Sequence, residues 1–289
     1  MKILSISLLG CAAILFAQAQ RTFDTPEAAA DALIAAAADN NTAGLDAIFG
    51  PQGKTVLTSG KPDQDKSERQ EFANIAHNKH QLERDSMNRN RMILSIGSED
   101  WPFPVPIVKK DNGWIFDTSM GALAMRARRI GEGELDAIEI CAGYVGAQEA
   151  YAPARDTHEE SGLQYAKRVA STTGKHDGLY WDGPGALVPK GFAEASTQHP
   201  KPYHGYYFRI LTAQGANAPG GAHNYLVKDM LMGGFGLVAW PAQYGVTGIH
   251  TFIVNMDGVV YEKDLGSPAN AMVPPVTRYD PDKTWKPVN

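Results

Sequence analysis

Cysteine is all but absent from this chain. Its 289 residues include Cys11 and Cys141 and no other, so one internal disulfide is the most it could form, and loss of Cys11 leaves none. Long apolar runs are missing too. The only extended one, residues 3–16, falls short of the roughly 20 residues a spanning helix needs, which excludes a polytopic membrane protein. Positive charge is in deficit, with 27 Lys and Arg against 32 Asp and Glu and a formal charge of −5. That gives no broad electrostatic case for nucleic acid or an anionic membrane as partner. Wholesale disorder is excluded because 43% of residues are hydrophobic and only 20% charged, ordinary values for a folded protein. At roughly 100–150 residues per domain, the length suggests about two domains.

The N-terminus has the anatomy of an export signal. Lys2 supplies a positive start, residues 3–16 an apolar stretch, and Ala17-Gln18-Ala19 the small residues a signal peptidase reads. The expected signal peptide is residues 1–19, and its removal takes Lys2 and brings the formal charge from −5 to −6. A competing reading takes Leu8-Leu9-Gly10-Cys11 as a lipoprotein box with Cys11 acylated. Either way the expected location is outside the cytoplasm, periplasmic or extracellular, with no transmembrane span in the mature chain.

An α+β domain is expected over residues 20–128. Residues 22–49 read as two helices capped by Asp24 or Thr25 and broken at Asp39-Asn40-Asn41, residues 60–67 as a polar loop, and residues 68–80 as a third helix. The period then changes to that of strands. Residues 91–96 are strand-like, the prolines at 102, 104 and 106 keep residues 103–108 extended, and Asp111-Asn112-Gly113 turns the chain into a returning strand at residues 113–117. Helices followed by a curved antiparallel sheet are similar in order to the cone-shaped fold of the nuclear transport factor two superfamily.

The second expected domain covers residues 129–266 and is also α+β. Residues 134–152 read as the best helix of the chain, with Leu135, Ile138, Cys141 or Ala142, Val145 and Ala152 on one stripe and Pro153 as its stop. Asp156 and Glu159 are spaced as a capping box for a second helix over residues 156–170. About four antiparallel strands follow, near residues 204–212, 234–240, 249–255 and 259–263. A long excursion at 213–233 separates the first two, and a proline-rich tail at 267–289 is expected to be mobile.

Trp101-Pro102-Phe103-Pro104, Trp114-Ile115-Phe116-Asp117-Thr118, Arg128-Arg129-Ile130-Gly131 and Gly205-Tyr206-Tyr207-Phe208-Arg209-Ile210-Leu211 carry a resemblance to the bacterial exported proteins grouped as domain of unknown function 2950. Glu134-Leu135-Asp136-Ala137-Ile138, Ala147-Gln148-Glu149-Ala150-Tyr151 and residues 251–266 extend it over nearly the whole mature chain. The resemblance implies no particular activity. Within the C-terminal half, the helix, the Gly205-Tyr206-Tyr207-Phe208 strand, the Ala239-Trp240-Pro241 strand end and residues 248–260 are similar to type IV pilin-like globular domains. A pilin's processed apolar first helix has no counterpart here, so a fibre subunit is not expected.

No catalytic constellation is readable. Cys141 lies on the apolar stripe between Ile140 and Ala142, the setting of a buried thiol rather than a nucleophile. His77 and His80 are three apart on an expected helix, but zinc needs three or four convergent ligands. His176, His199, His204, His223 and His250 are dispersed. No phosphate loop or nucleophile elbow occurs, so no metal and no cofactor is expected. Arg126-Ala127-Arg128-Arg129 reads as a solvated or ion-paired face. The expectation is therefore a non-enzymatic binding or envelope-assembly factor, with His223, Asn224 and Tyr225 of the excursion as candidate binding residues and an envelope protein or glycan as partner. The rival expectation is an envelope hydrolase whose site assembles only in three dimensions.

Overall fold

The computed structural model describes residues 19–155, 163–267, 270 and 272–288. The expected signal segment with Cys11, and the Asp156 and Glu159 capping box, lie outside the described residues. The fold is mixed α+β, with antiparallel sheets and one long helix. Internal contacts divide the chain into two units at Met125 and Arg126.

The first unit opens with α1 (Pro26–Ala38). Thr25 caps it by accepting the Ala28 N–H on Oγ1 at 3.1 Å, and Pro26 fits the first turn because its missing N–H would be unpaired there anyway. Asn41 caps α2 (Thr42–Phe49) by accepting the Gly44 N–H at 2.9 Å. A short 3-10 turn and α3 (Lys54–Leu57) follow, then α4 (Pro62–Asn78). The segment expected as a polar loop thus enters a helix at Pro62. The proline sits at the helix start with Asp63 and Asp65 in the first turn, where carboxylates complement the positive helix end. Asp65 also closes the approach. Its carboxylate accepts the Ser59 hydroxyl at 2.6 Å, the Ser59 N–H at 2.9 Å and the Thr58 hydroxyl at 2.7 Å, and these bonds hold it below the usual carboxylate range.

The sheet comprises β1 (His80–Arg84), β2 (Arg91–Ile96), β3 (Trp101–Pro102), β4 (Ile107–Lys110) and β5 (Gly113–Phe116). The strands run β1-β2-β4-β5, with β3 also on β2 and every pairing antiparallel. Because α4 ends at Asn78, His80 opens a strand, and the expected helical pair with His77 does not form. Leu33, Ile48, Phe49, Leu94, Ile107 and Phe116 form the core between helices and sheet.

Helix α5 (Thr118–Arg155) is 38 residues long. It starts sixteen residues before the expected helix because the Ala- and Arg-rich stretch from Ala122 to Arg129 favours helix as well as solvation, and it passes Pro153 by two residues. Ala137, Cys141, Tyr144, Val145, Gln148 and Ala152 make the buried stripe, whereas Leu135 is 68% exposed. The described part of the expected following helix, residues 163–170, is not helical. Ala166 and Val169 are buried as their spacing suggested, but the backbone is satisfied from elsewhere: Tyr165 N–H donates to Leu231 O and Tyr180 N–H to Val169 O, each at 2.8 Å. Ala166 is paired by a side chain. Its N–H donates to Gln148 Oε1 at 2.8 Å, and Gln148 Nε2 donates back to Ala166 O at 2.9 Å.

Next come α6 (Lys190–Ala195), β6 (Tyr206–Leu211), β7 (Ala213–Gln214), β8 (His223–Asn224), β9 (Leu226–Val227) and β10 (Met230–Leu231). The last strands are β11 (Gly236–Pro241), β12 (His250–Asn255), β13 (Tyr261–Asp264) and β14 (Lys286–Pro287). The main sheet has the order β14-β13-β12-β11-β6 and is antiparallel throughout. Phe208, Leu237, Ala239, Phe252 and Val254 pack in one core with Ala137, Cys141 and Tyr144 of α5.

The other sheet face carries Leu211, Val238, Trp240 and Ile253, and it is covered as well. Its cover is the tail that composition marked as mobile. Tyr279 and Trp285 are buried there, and β14 extends the sheet. Prolines and polar residues dilute the hydrophobicity of the tail, but two aromatic anchors suffice to hold it. With both faces covered, every residue of β11 is buried, so the strand reads as a continuous apolar run without alternation.

Candidate functional site

The strongest candidate lies in the second unit, where a two-residue turn meets α5. Tyr203 and Tyr206 exchange backbone hydrogen bonds at 3.0 Å in both directions, so His204 and Gly205 form the tip of a tight hairpin. Both have positive φ, 49° and 80°, the signature of a type I′ turn. Asn-Gly is the favoured pair for that turn. Histidine, with Asn and Asp, is among the non-glycine residues that enter the left-handed region most readily, so the turn accepts it, and the imidazole makes a contact of its own.

Its Nδ1 lies 2.6 Å from Asp136 Oδ2 of α5. A carboxylate only accepts, so Nδ1–H donates and Nε2 is the nitrogen left for other partners. The turn comes close enough for this because Gly133 has no side chain. A Cβ there would sit 2.6 Å from Thr247 O and 3.1 Å from His204 O. One helical step away, Glu134 Oε1 accepts the Ile249 N–H at 2.8 Å, the His250 N–H at 2.9 Å and His250 Nδ1 at 3.1 Å, fixing the start of β12 to the helix.

This turn borders a cleft of about 310 Å³. Asp136, Glu139, Ile140 and Gly143 of α5 form one wall, and residues 187–189 with Tyr203 and His204 form the others. Tyr144 and Phe192 lie at its base, both almost fully buried. The size is at the lower end of small-molecule sites. Polar groups concentrate on one side: Asp136 is engaged by His204, while among the described residues Glu139 has no hydrogen bond or ion pair.

A second cavity, of about 350 Å³ in the first unit, is lined by residues including Gln20, Gln52, Lys110 and Ser119. Several of its polar groups satisfy one another. Gln20 Nε2 donates to Phe116 O at 2.7 Å and Ile48 O at 2.9 Å, and Ser119 Oγ donates to Gln52 Oε1 at 2.7 Å.

The excursion at 213–233 is built around Gln214, which is almost wholly buried. Its Nε2 donates to Pro219 O at 2.6 Å and Gly221 O at 2.7 Å, and its Oε1 accepts the Tyr225 hydroxyl at 2.8 Å. The three expected binding residues therefore separate. His223 and Asn224 are exposed, whereas Tyr225 faces the core, where burial pushes its hydroxyl up to about 12. His223 has a backbone carbonyl 3.3 Å from each ring nitrogen, Gly221 O and Gly233 O. Cys141 is fully buried, and burial raises its thiol pKa, so it is no nucleophile. Among the described residues no three His, Cys, Asp or Glu side chains gather as a metal site, and no helix is long and apolar enough to cross a membrane.

Asp136 and Glu139 share one helical face, and His204-Gly205 holds a position where Asn-Gly would signal a hairpin. That turn signature was the available clue. The separation of 68 positions between Asp136 and His204 hid their meeting.

No curated protein and no solved structure matches the chain. A family whose description reads "Protein of unknown function (DUF2950)" matches residues 20–288. The match takes in the turn, the cleft and both sheets, and the chain belongs to the DUF2950 family.

Proposed function

We propose that this protein is exported and works in the cell envelope as a binding protein, with the cleft beside His204 as its ligand site. The observation that carries the binding reading is the turn. The turn sets an imidazole, oriented by Asp136, at the rim of a half-open cleft with an apolar floor. A helix laid along one face of an antiparallel sheet supports treating this unit as a pilin-like module used for recognition and not for a fibre. Export is supported by the signal anatomy of residues 1–19 and by a family match that begins at residue 20.

His204→Asn is the informative variant, because asparagine suits the turn at least as well as histidine while deleting the imidazole. The variant should fold with an unchanged melting temperature and lose capture of envelope ligand. Undiminished capture by folded H204N would refute the site. Mass spectrometry of the protein from the periplasm and medium should find a chain beginning at Gln20. A lipidated Cys11 would replace that reading with an anchored protein, and retention of Met1 in the cytoplasm would end the export proposal.

The held imidazole also favours a second reading, hydrolysis of envelope material with His204 Nε2 accepting a proton from water. Turnover by wild type that disappears in H204N would support it over simple binding.

A further inference from the structure

We infer that the cleft takes a small organic amine, its ammonium group held at Glu139 and Asp136 and its hydrocarbon body lodged among Ile140, Leu187, Val188 and Phe192. The inference rests on the reading of this cleft as the ligand site and adds its chemical class.

The polar inventory of the walls is one-sided. Asp136 and Glu139 lie one helical turn apart on α5 and both line the cavity. Among the described residues the ionisable cation-former in the lining is His204, and its Nδ1 is already committed to Asp136. Among the described residues no lysine or arginine lines the cleft. An anionic ligand would meet a carboxylate that nothing neutralises, since Glu139 has no ion pair or hydrogen bond among the described residues. A sugar needs donors and acceptors in similar number, and of the two tyrosine hydroxyls in the lining Tyr144 OH is already spent on Gly236 O at 3.2 Å, which leaves that of Tyr203 against two carboxylates. The lining thus offers acceptors at one end and apolar surface at the other. An ammonium donates three hydrogen bonds and accepts none, which matches the polar end. The aromatic rings of Tyr203 and Phe192 in the lining are a further favourable surface for a cation with a hydrocarbon body. The volume of about 310 Å³ suits a compact molecule, not a polymer segment.

The test uses three probes of one shape and different charge: phenethylamine, phenethyl alcohol and phenylacetate. Binding is followed by NMR on the full mature chain labelled at Ile, Leu and Val methyls, because Ile140, Leu187 and Val188 sit in the walls. Gly143→Leu serves as the plug. Gly143 lines the cleft on the exposed side of α5, and a Cβ added there meets nothing within 4 Å, so the larger residue fills the opening while favouring helix.

The amine should shift the wall methyls and bind about tenfold more tightly than the alcohol, with phenylacetate weaker still. Glu139→Gln should cost the amine about tenfold and leave the alcohol unchanged, and Gly143→Leu should abolish binding. Equal binding of all three probes, blocked by Gly143→Leu but indifferent to Glu139→Gln, would overturn the amine assignment and leave the cleft as the site. Probe shifts that appear elsewhere, or that survive Gly143→Leu, would overturn the cleft reading itself.

Discussion

Replacing Gln148 with leucine tests the idea that one buried side chain substitutes for a strand. Gln148 is fully buried in α5, and its amide makes three bonds: it accepts from Ala166 N–H and donates to Ala166 O and to Tyr144 OH. Tyr144 in turn donates to Gly236 O, so the network ties helix, the 163–170 segment and sheet together. Leucine has similar bulk and no polar atoms. It leaves one backbone N–H and one C=O of Ala166 without partners inside a closed core, at about 1–3 kcal/mol each. Tyr144 keeps its own donation, and the added methyl groups recover roughly 1 kcal/mol. The net loss is about 1–5 kcal/mol, which at about 3 °C per kcal/mol is a fall in melting temperature of roughly 3–15 °C for the second unit.

Because two units need not unfold together, site-resolved hydrogen exchange is the right assay. The Ala166 amide should lose at least about tenfold in protection while the amides of β4 keep theirs. Unchanged Ala166 protection with a stability loss below about 0.5 kcal/mol would refute the reasoning, because the backbone would then have another partner.

Two further outcomes follow from the same structure. Asp65→Asn should destabilise the first unit at neutral pH. The carboxylate pKa is lowered by its bonds to Ser59 and Thr58, so its contribution is present above the ordinary value of about 4 and is lost as pH falls through the lower folded value. Urea midpoints of wild type and variant should converge at acid pH, and a constant gap down to about pH 2 would contradict this account. Trp285→Ala should cost ~3 kcal/mol, because the ring is buried against the second sheet face. Melting of the variant at the wild-type temperature would mean that the tail does not hold the sheet.

What could be read in advance was local. Asp24 or Thr25 reads as a cap and Asp111-Asn112-Gly113 as a turn through their own side chains and backbone freedom, and the structure uses Thr25 and the turn, with Lys110 opposite Gly113; Asn41, readable as part of a break, caps the second helix as well. Burial of Cys141 followed from its neighbours in sequence. What escaped was decided by partners far along the chain. Ala166 and Val169 have the spacing of a helix face, yet Gln148, Leu231 and Tyr180 supply the hydrogen bonds that a helix would have made for itself. Tyr279 and Trp285 sit among prolines that hide their burial. His204 acquires its role only from Asp136, which lies on a helix 68 residues earlier.

The covering of β11 on both sides carries a consequence for the order of assembly. During synthesis from the N-terminus, Val238 and Trp240 emerge long before Tyr279 and Trp285. Until those aromatics arrive, the apolar plane lacks the two largest side chains of its cover. Completion of this half is thereby deferred until Tyr279 and Trp285 have been made, about forty residues after the strand they cover.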